Sequence, residues 1–193
     1  MPNVTQNYGD DLISKVARKS DAVGIVEVLQ ANLISIKNVA ENSKTDLEER
    51  GFLLGALTKE EMENYIADQK NKMVFVLKNG EKVFAYLSAC DFAKSDEKMR
   101  EELSSFPEIK KFQKILYYHQ IAKLPEVRNA GKKLLAAMLE EAGDRGYEAV
   151  LCRIAHQPIQ NKASTAFHEK YGFKLVGMQG KNDVTFGVYL LNL

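Results

Sequence analysis

The chain has 193 residues, 45% of them hydrophobic and 27% charged, with 12 Gly and 4 Pro. That composition excludes a disordered or low-complexity chain and leaves room for a sizeable α/β core. Twenty-seven basic against 26 acidic side chains leave a net charge of +1, which excludes a general nucleic-acid or membrane-surface binder working through a large basic excess.

No repeat, low-complexity tract or linker divides the sequence, so residues 1–193 are expected to form one domain. MPNVTQNYGDDL has no basic-then-apolar leader pattern and no apolar run reaches membrane-spanning length, so the expected location is cytoplasmic. Cys90 and Cys152 lie in apolar runs and read as buried free thiols of a reducing compartment, with Cys152 inert packing. The histidines at 119, 156 and 168 show no metal spacing, so no metal is expected.

In chain order, LISKVAR at 12–18 predicts a short strand, followed by a cap signal at Ser20 and Asp21. Val26, Leu29, Leu33 and Ile36 then repeat at helical spacing within VGIVEVLQANLISIK. RGFLLGAL is an apolar, turn-like segment, and Thr58 to Glu61 is a capping box opening a helix through about Ala67. In MVFVLKNGEKVFAYLSAC two β-rich runs flank Lys78 to Glu81, where Asn-Gly suits a two-residue type I′ hairpin turn. Residues 92–112 are charged and mixed, a helical excursion of undefined shape. KILYYHQIAK reads as a buried strand, on which the adjacent Tyr117 and Tyr118 point to opposite faces.

After LPEVRNAG, Leu134, Leu135, Met138, Leu139 and Ala142 form the apolar face of a helix whose end is bracketed by Gly143 and Gly146. YEAVLCRIA is a second buried strand, NKASTAFHEKY a helix stopped by Gly172, and FKLVGM and DVTFGVYLLNL are the last two strands. The order predicts a mixed α/β sheet with helices packed on its faces.

Two stretches carry chemistry. Arg128, Lys132 and Lys133 crowd the start of the helix near Gly131, while Glu140 and Glu141 sit toward its end, the reverse of what the helix dipole favours. Either a bound anion compensates, held by free amides and the three cations, or the lysines are simply solvated. Asn129-Ala130-Gly131 is small enough in part to admit phosphate oxygens, yet it is neither a Walker loop nor GxGxxG. In the later helix, Asn161, Ser164, His168 and Tyr171 share one stripe with Phe167 at its edge, while Lys162, Glu169 and Lys170 face the other way. One side suits water; the other is placed to touch something.

Together, a strand, PEVRNAGKKLL, a second strand and N-x-x-S-x-x-F-H-x-x-Y-G-F resemble the GCN5-related N-acetyltransferase (GNAT) family. The resemblance implies a mixed, mostly antiparallel sheet of about seven strands, helices on both faces, and a splayed cleft for acetyl-CoA. It implies pantetheine pairing along Ile121, Ala122 and Lys123, diphosphate held by Arg128, Asn129, Ala130, Gly131, Lys132 and Lys133, and coenzyme contacts from Asn161 and Ser164. Asn129 and Glu126 stand where the family pattern has Gly and Gln or Arg. His168 occupies the place of a tyrosine that protonates the departing thiolate; an imidazolium can do so near neutral pH, or the ring only packs. His119 and His156 are the candidates for taking the proton from an ammonium substrate, with core packing the alternative for His119.

The implied activity is acetyl transfer from acetyl-CoA to a primary amine of a small molecule or peptide, by direct attack. The acceptor would bind near residues 50–57, 86–91 and 92–112. The near-neutral charge predicts no nucleic-acid or membrane partner, and the resemblance implies that the final strands can pair across a homodimer. The alternative is a non-catalytic coenzyme-binding or interaction module on the same fold, suggested by the altered loop.

Overall fold

The structure, a computed structural model, describes residues 12–35 and 44–193. The N-terminal segment and Ile36, which enter the reading above, lie outside the described residues. Seven strands form one sheet in the order β1-β2-β3-β4-β5-β7-β6. They are β1 (Ser14–Val16), β2 (Lys72–Asn79), β3 (Lys82–Asp91), β4 (Ile115–Lys123), β5 (Ala149–Gln157), β6 (Lys174–Lys181) and β7 (Val184–Asn192). Every neighbouring pair is antiparallel except β4 and β5. The helices are α1 (Ala22–Asn32), α2 (Lys44–Arg50), α3 (Lys59–Ala67), α4 (Glu97–Leu103), α5 (Ala130–Asp144) and α6 (Lys162–Lys170). No described helix is long and apolar enough to cross a membrane.

Strand alternation divides the apolar residues between two faces, and helices cover both. Leu116, Tyr118, Val150, Cys152 and Tyr189 meet Leu134, Leu135 and Met138, so α5 lies on one face. Val74, Val76 and Tyr86 point the other way and pack on Ile25, Val28 and Leu29 of α1 and Met62 and Ile66 of α3. The 92–112 excursion closes that second face through Phe92, Met99, Leu103 and Ile109. Beneath α1, Asp21 is buried and its carboxylate meets the Lys78 ammonium, tying the helix start to β2.

Local signals carry most elements. Thr58 and Glu61 form the expected reciprocal capping box, with Glu61 N–H donating to Thr58 Oγ1 over 3.2 Å. Two expectations need correction. The hairpin turn sits one residue later: Asn79 pairs with Lys82, leaving Gly80 and Glu81 as the loop. Gly80 has φ +56° and Glu81 is not left-handed, the φ pattern of a II′ rather than a I′ turn. Helix α1 stops at Asn32, whose Nδ2 donates to Val28 O and to Lys123 O on β4. Leu33 is therefore extended and bridges to Leu53.

Two irregularities shape the middle of the sheet. The parallel pairing of β4 with β5 joins only Ile115–Tyr118 to Ala149–Cys152, after which the strands diverge. Just there the β3–β4 register jumps from Ala89↔Tyr118 to Ser88↔Gln120, so His119 is an unpaired bulge residue.

Candidate functional site

The divergence of β4 and β5 opens a cleft of about 1090 Å³. Its floor is formed by residues 117–123 and 152–155, one wall by 33–35 and 50–56, and the other by 129–132 together with the inward side of α6. Residues 181–184 and Phe186 close one end. Beyond Tyr118 the β4 backbone on the cleft side has lost its β5 partner, leaving a free strand edge at Ile121, Ala122 and Lys123.

The N-terminus of α5 faces this opening. Asn129 is left-handed with φ 57°, donates no side-chain cap, and accepts from Lys133 N–H at 3.1 Å through its carbonyl. The N–H groups of Ala130, Gly131 and Lys132 have no hydrogen-bond partner among the described residues. Three orphan amides at the positive end of a 15-residue helix form an anion cradle. A Cβ on Gly131 would lie 3.0 Å from the Phe167 ring, so the glycine lets α5 and α6 close together at the cleft.

The cations divide. Lys132 lines the cleft and enters no ion pair among the described residues. Lys133, expected at the phosphates, does not line the cleft; its Nζ donates to Leu12 O at 2.8 Å. Arg128 is exposed and also outside the lining. At the far end of α5, Glu141 pairs with Arg145 at 2.7 Å, and Arg145 donates to Gln69 O, which accounts for one of the two misplaced acids.

On α6, Asn161 is 7% exposed and spends both side-chain groups on structure. Its Oδ1 accepts from Ser164 N–H at 3.1 Å as the helix cap, and its Nδ2 donates to Phe52 O at 2.9 Å, fixing the 50–56 wall. Ser164, half-buried, lines the cleft. Gly172, with φ +87°, ends the helix as expected.

The three histidines part company. His168 is 3% exposed and packed among Tyr118, Phe167 and Phe173 rings. Burial lowers its pKa to about 4, and its Nδ1 lies 2.7 Å from Ser164 O, the geometry of a neutral ring donating from Nδ1. His168 also lines the cleft, as a neutral ring of this geometry rather than an imidazolium. His156 is the extra residue of a second bulge, between Ala155 and Gln157, and its Nε2 meets Tyr189 Oη at 3.0 Å outside the cleft lining.

His119 opens into the cleft beside Tyr65 and Tyr117. Neither ring nitrogen has a hydrogen-bond partner among the described residues. The surrounding protein, then the Arg153 and Lys72 cations, press its pKa below the ordinary value. A lowered pKa favours the neutral ring, whose lone pair then faces the cleft.

Two lining groups, Arg153 and Gln120, escaped the sequence reading, which names Tyr118 with Tyr117 as a pair on opposite faces, one core and the other a candidate for the cleft; both line it. Arg153 projects from β5 directly past the last β4–β5 pair, a lone charge in an apolar run that was the available signal. Tyr118 carries a buried hydroxyl with no hydrogen-bond partner among the described residues, held protonated by burial well above the usual tyrosine range. Gln120 accepts from Tyr86 Oη at 2.8 Å and donates to Gly55 O at 2.9 Å, tying sheet to wall. Of the segments expected around an acceptor, 50–56 line the cleft, whereas 86–91 and 92–112 do not. Cys90 and Cys152 are buried free thiols whose pKa values burial raises.

Solved structures with the same fold include an N-acetyltransferase from Staphylococcus aureus Mu50, with TM-score 0.62 and 17% identity over 95% of this chain and 99% of that one. PaiA N-acetyltransferase from Thermoplasma acidophilum, in complex with coenzyme A, matches with TM-score 0.62 and 11% identity over 95% and 99%. YncA from Salmonella typhimurium, with its cofactor acetyl-CoA, matches with TM-score 0.62 and 16% identity over 95% of each chain. Among curated proteins no sequence match is found. The model of the Acetyltransferase (GNAT) family matches residues 42–173, which spans α5, β5, α6 and the cleft between β4 and β5. The chain belongs to the GNAT acetyltransferase family.

Proposed function

We propose that the protein transfers an acetyl group from acetyl-CoA to a primary amine by direct attack in the β4–β5 cleft. The observation that carries this reading is the meeting of a free strand edge at Ile121–Lys123 with three unpartnered amides at Ala130–Lys132 in one cleft. The edge offers an amide-bearing arm a strand to pair with, and the amides offer a diphosphate its donors. Lys132 adds a cation there, and Ser164 lines the same wall. Acetyl-CoA supplies the activated acyl group. Two of the relatives of like fold, PaiA and YncA, hold coenzyme A or acetyl-CoA.

The chain's own residues then handle protons. His119, neutral and open, takes one proton from an ammonium acceptor before attack, freeing the lone pair that bonds to the acyl carbon. As the carbon–sulfur bond breaks, the Tyr118 hydroxyl, without a partner among the described residues and at the point where the strands part, protonates the sulfur, and the second proton shed by the nitrogen restores that hydroxyl. His168 positions rather than donates: its ring lies 5.2 Å from the Tyr118 ring and holds it laterally.

A second reading, a coenzyme-binding module without turnover, draws on the same buried neutral histidine in the place of the family tyrosine. Thermal melting with and without acetyl-CoA, followed by thiol release across an amine panel, separates the two. The proposal expects a coenzyme-dependent rise in Tm and amine-dependent thiol release. A rise without release with any amine supports the second reading, and no rise at millimolar coenzyme overturns both.

A further inference from the structure

We infer that the acceptor carries a carboxylate beside its amine, as an amino acid does, and that Arg153 is the residue that holds it. The inference rests on the amine-acetylation reading of the cleft. Arg153 is half-buried, immediately past Cys152, while His119 is immediately past Tyr118, so the two stand on the facing inner edges of the split. Both meet the ring of Tyr117: the His119 centroid lies 6.1 Å from it and the Arg153 Cζ 5.8 Å. The Phe186 ring flanks the guanidinium at 5.1 Å.

The guanidinium is oriented but not neutralised. Its Nε donates to Tyr117 Oη at 3.0 Å and its Nη1 to Gln179 Oε1 at 3.0 Å. Glu102 joins this chain only through the Gln179 amide nitrogen, and no carboxylate among the described residues lies within ion-pair distance of Arg153. A half-buried guanidinium fixed by two neutral hydrogen bonds and flanked by two rings, with no carboxylate in ion-pair reach among the described residues, is prepared for an anion. Nη2 donates to none of the described residues, and a planar carboxylate fits the end of a guanidinium.

The coenzyme phosphates do not account for this cation. Their cradle is the start of α5, on the wall of the cleft, whereas Arg153 belongs to the sheet face that carries Tyr117 and His119. Of the six cationic side chains that line the cleft with Asp183 among the described residues, Lys132 is assigned to the coenzyme phosphates, whereas Arg153 stands on the face of Tyr117 and His119. An amine with a nearby carboxylate enters as a near-neutral zwitterion, with its nitrogen beside His119.

The test pairs each of a panel of L-amino acids, β-alanine and γ-aminobutyrate with the amine that lacks its carboxylate. Binding is measured by calorimetry, with the protein alone and with it saturated in coenzyme A, so the result does not require turnover. At least one pair is expected to favour the acid roughly 10- to 100-fold in Kd, and Arg153→Gln should abolish that preference while the coenzyme-induced rise in Tm persists. Arg153→Lys should keep only part of it. Absence of carboxylate-dependent binding in every pair, or its persistence in Arg153→Gln, overturns the inference. Thiol release in the same samples judges the acetylation reading separately: carboxylate-dependent binding with no release with any amine would leave Arg153 its ligand and remove the enzyme.

Discussion

Asn161 offers the sharpest separation of structure from coenzyme contact. Replacing it with Ala removes the α6 cap, which costs about 1 kcal/mol, and strips the Phe52 carbonyl of its one donor among the described residues. Phe52 is 6% exposed, so its unsatisfied carbonyl adds about 1–3 kcal/mol. The total of about 2–4 kcal/mol corresponds, for a chain of this size, to a fall in Tm of roughly 5–12 °C. Asn161→Ser keeps a capping oxygen and loses the tie to the wall without adding charge, so it should melt between wild type and Asn161→Ala. The assay is thermal unfolding of all three proteins, with coenzyme affinity measured by calorimetry below the transitions. An Asn161→Ala protein that melts within about 1 °C of wild type yet has lost coenzyme affinity would refute this reasoning and return Asn161 to the role its family position suggested.

Three further outcomes follow from the same geometry. Asp21→Ala strands the Lys78 ammonium against the base of α1 and should cost about 3 kcal/mol in urea unfolding, below which a loss under about 1 kcal/mol would contradict a buried pair. If His119 is the base, its lowered pKa keeps the active, deprotonated form dominant at neutral pH, so kcat/KM should fall only as pH drops below the ordinary histidine value of about 6.5; His119→Gln should lower kcat about 100-fold and erase that acid limb, and a limb centred above pH 7 would speak against it. Lys132→Ala should weaken coenzyme binding by about tenfold with Tm unchanged, whereas Lys133→Ala should lower Tm by about 2–4 °C and leave coenzyme affinity intact; the reverse pattern would contradict the assignment of Lys133 to Leu12.

What the sequence disclosed was whatever local chemistry decides. The Thr58 capping box, the apolar face of α5 and the stop at Gly172 each depend on residues within a few positions of one another. The offset of the 79–82 turn was hidden because a register shift at Leu77/Lys78 lets β3 carry an extra residue, which no alternation pattern announces. The bulges at His119 and His156 have the same cause with opposite effects. One turns its histidine into the cleft; the other leaves its histidine against Tyr189.

Partners distant in sequence were the least legible. Asn161 reaches Phe52 across 109 positions and Lys133 reaches Leu12 across 121, so the composition of neither helix could say that these side chains were already engaged. Gly131 was read as space for phosphate, and it also supplies space for Phe167. Arg153 was visible as a charge inside an apolar strand, but its bearing on the cleft depends on where β4 and β5 cease to pair.

Acetyl transfer in this cleft requires acetyl-CoA to lie between the diverging strands, and a crystal structure of the protein soaked in that coenzyme examines this directly. The expected density has the pantetheine arm bonded to the backbone of Ile121–Lys123, the diphosphate on the amides of Ala130–Lys132 and the thioester next to His119. A coenzyme bound elsewhere, or a cleft left empty at saturating concentration, would contradict it.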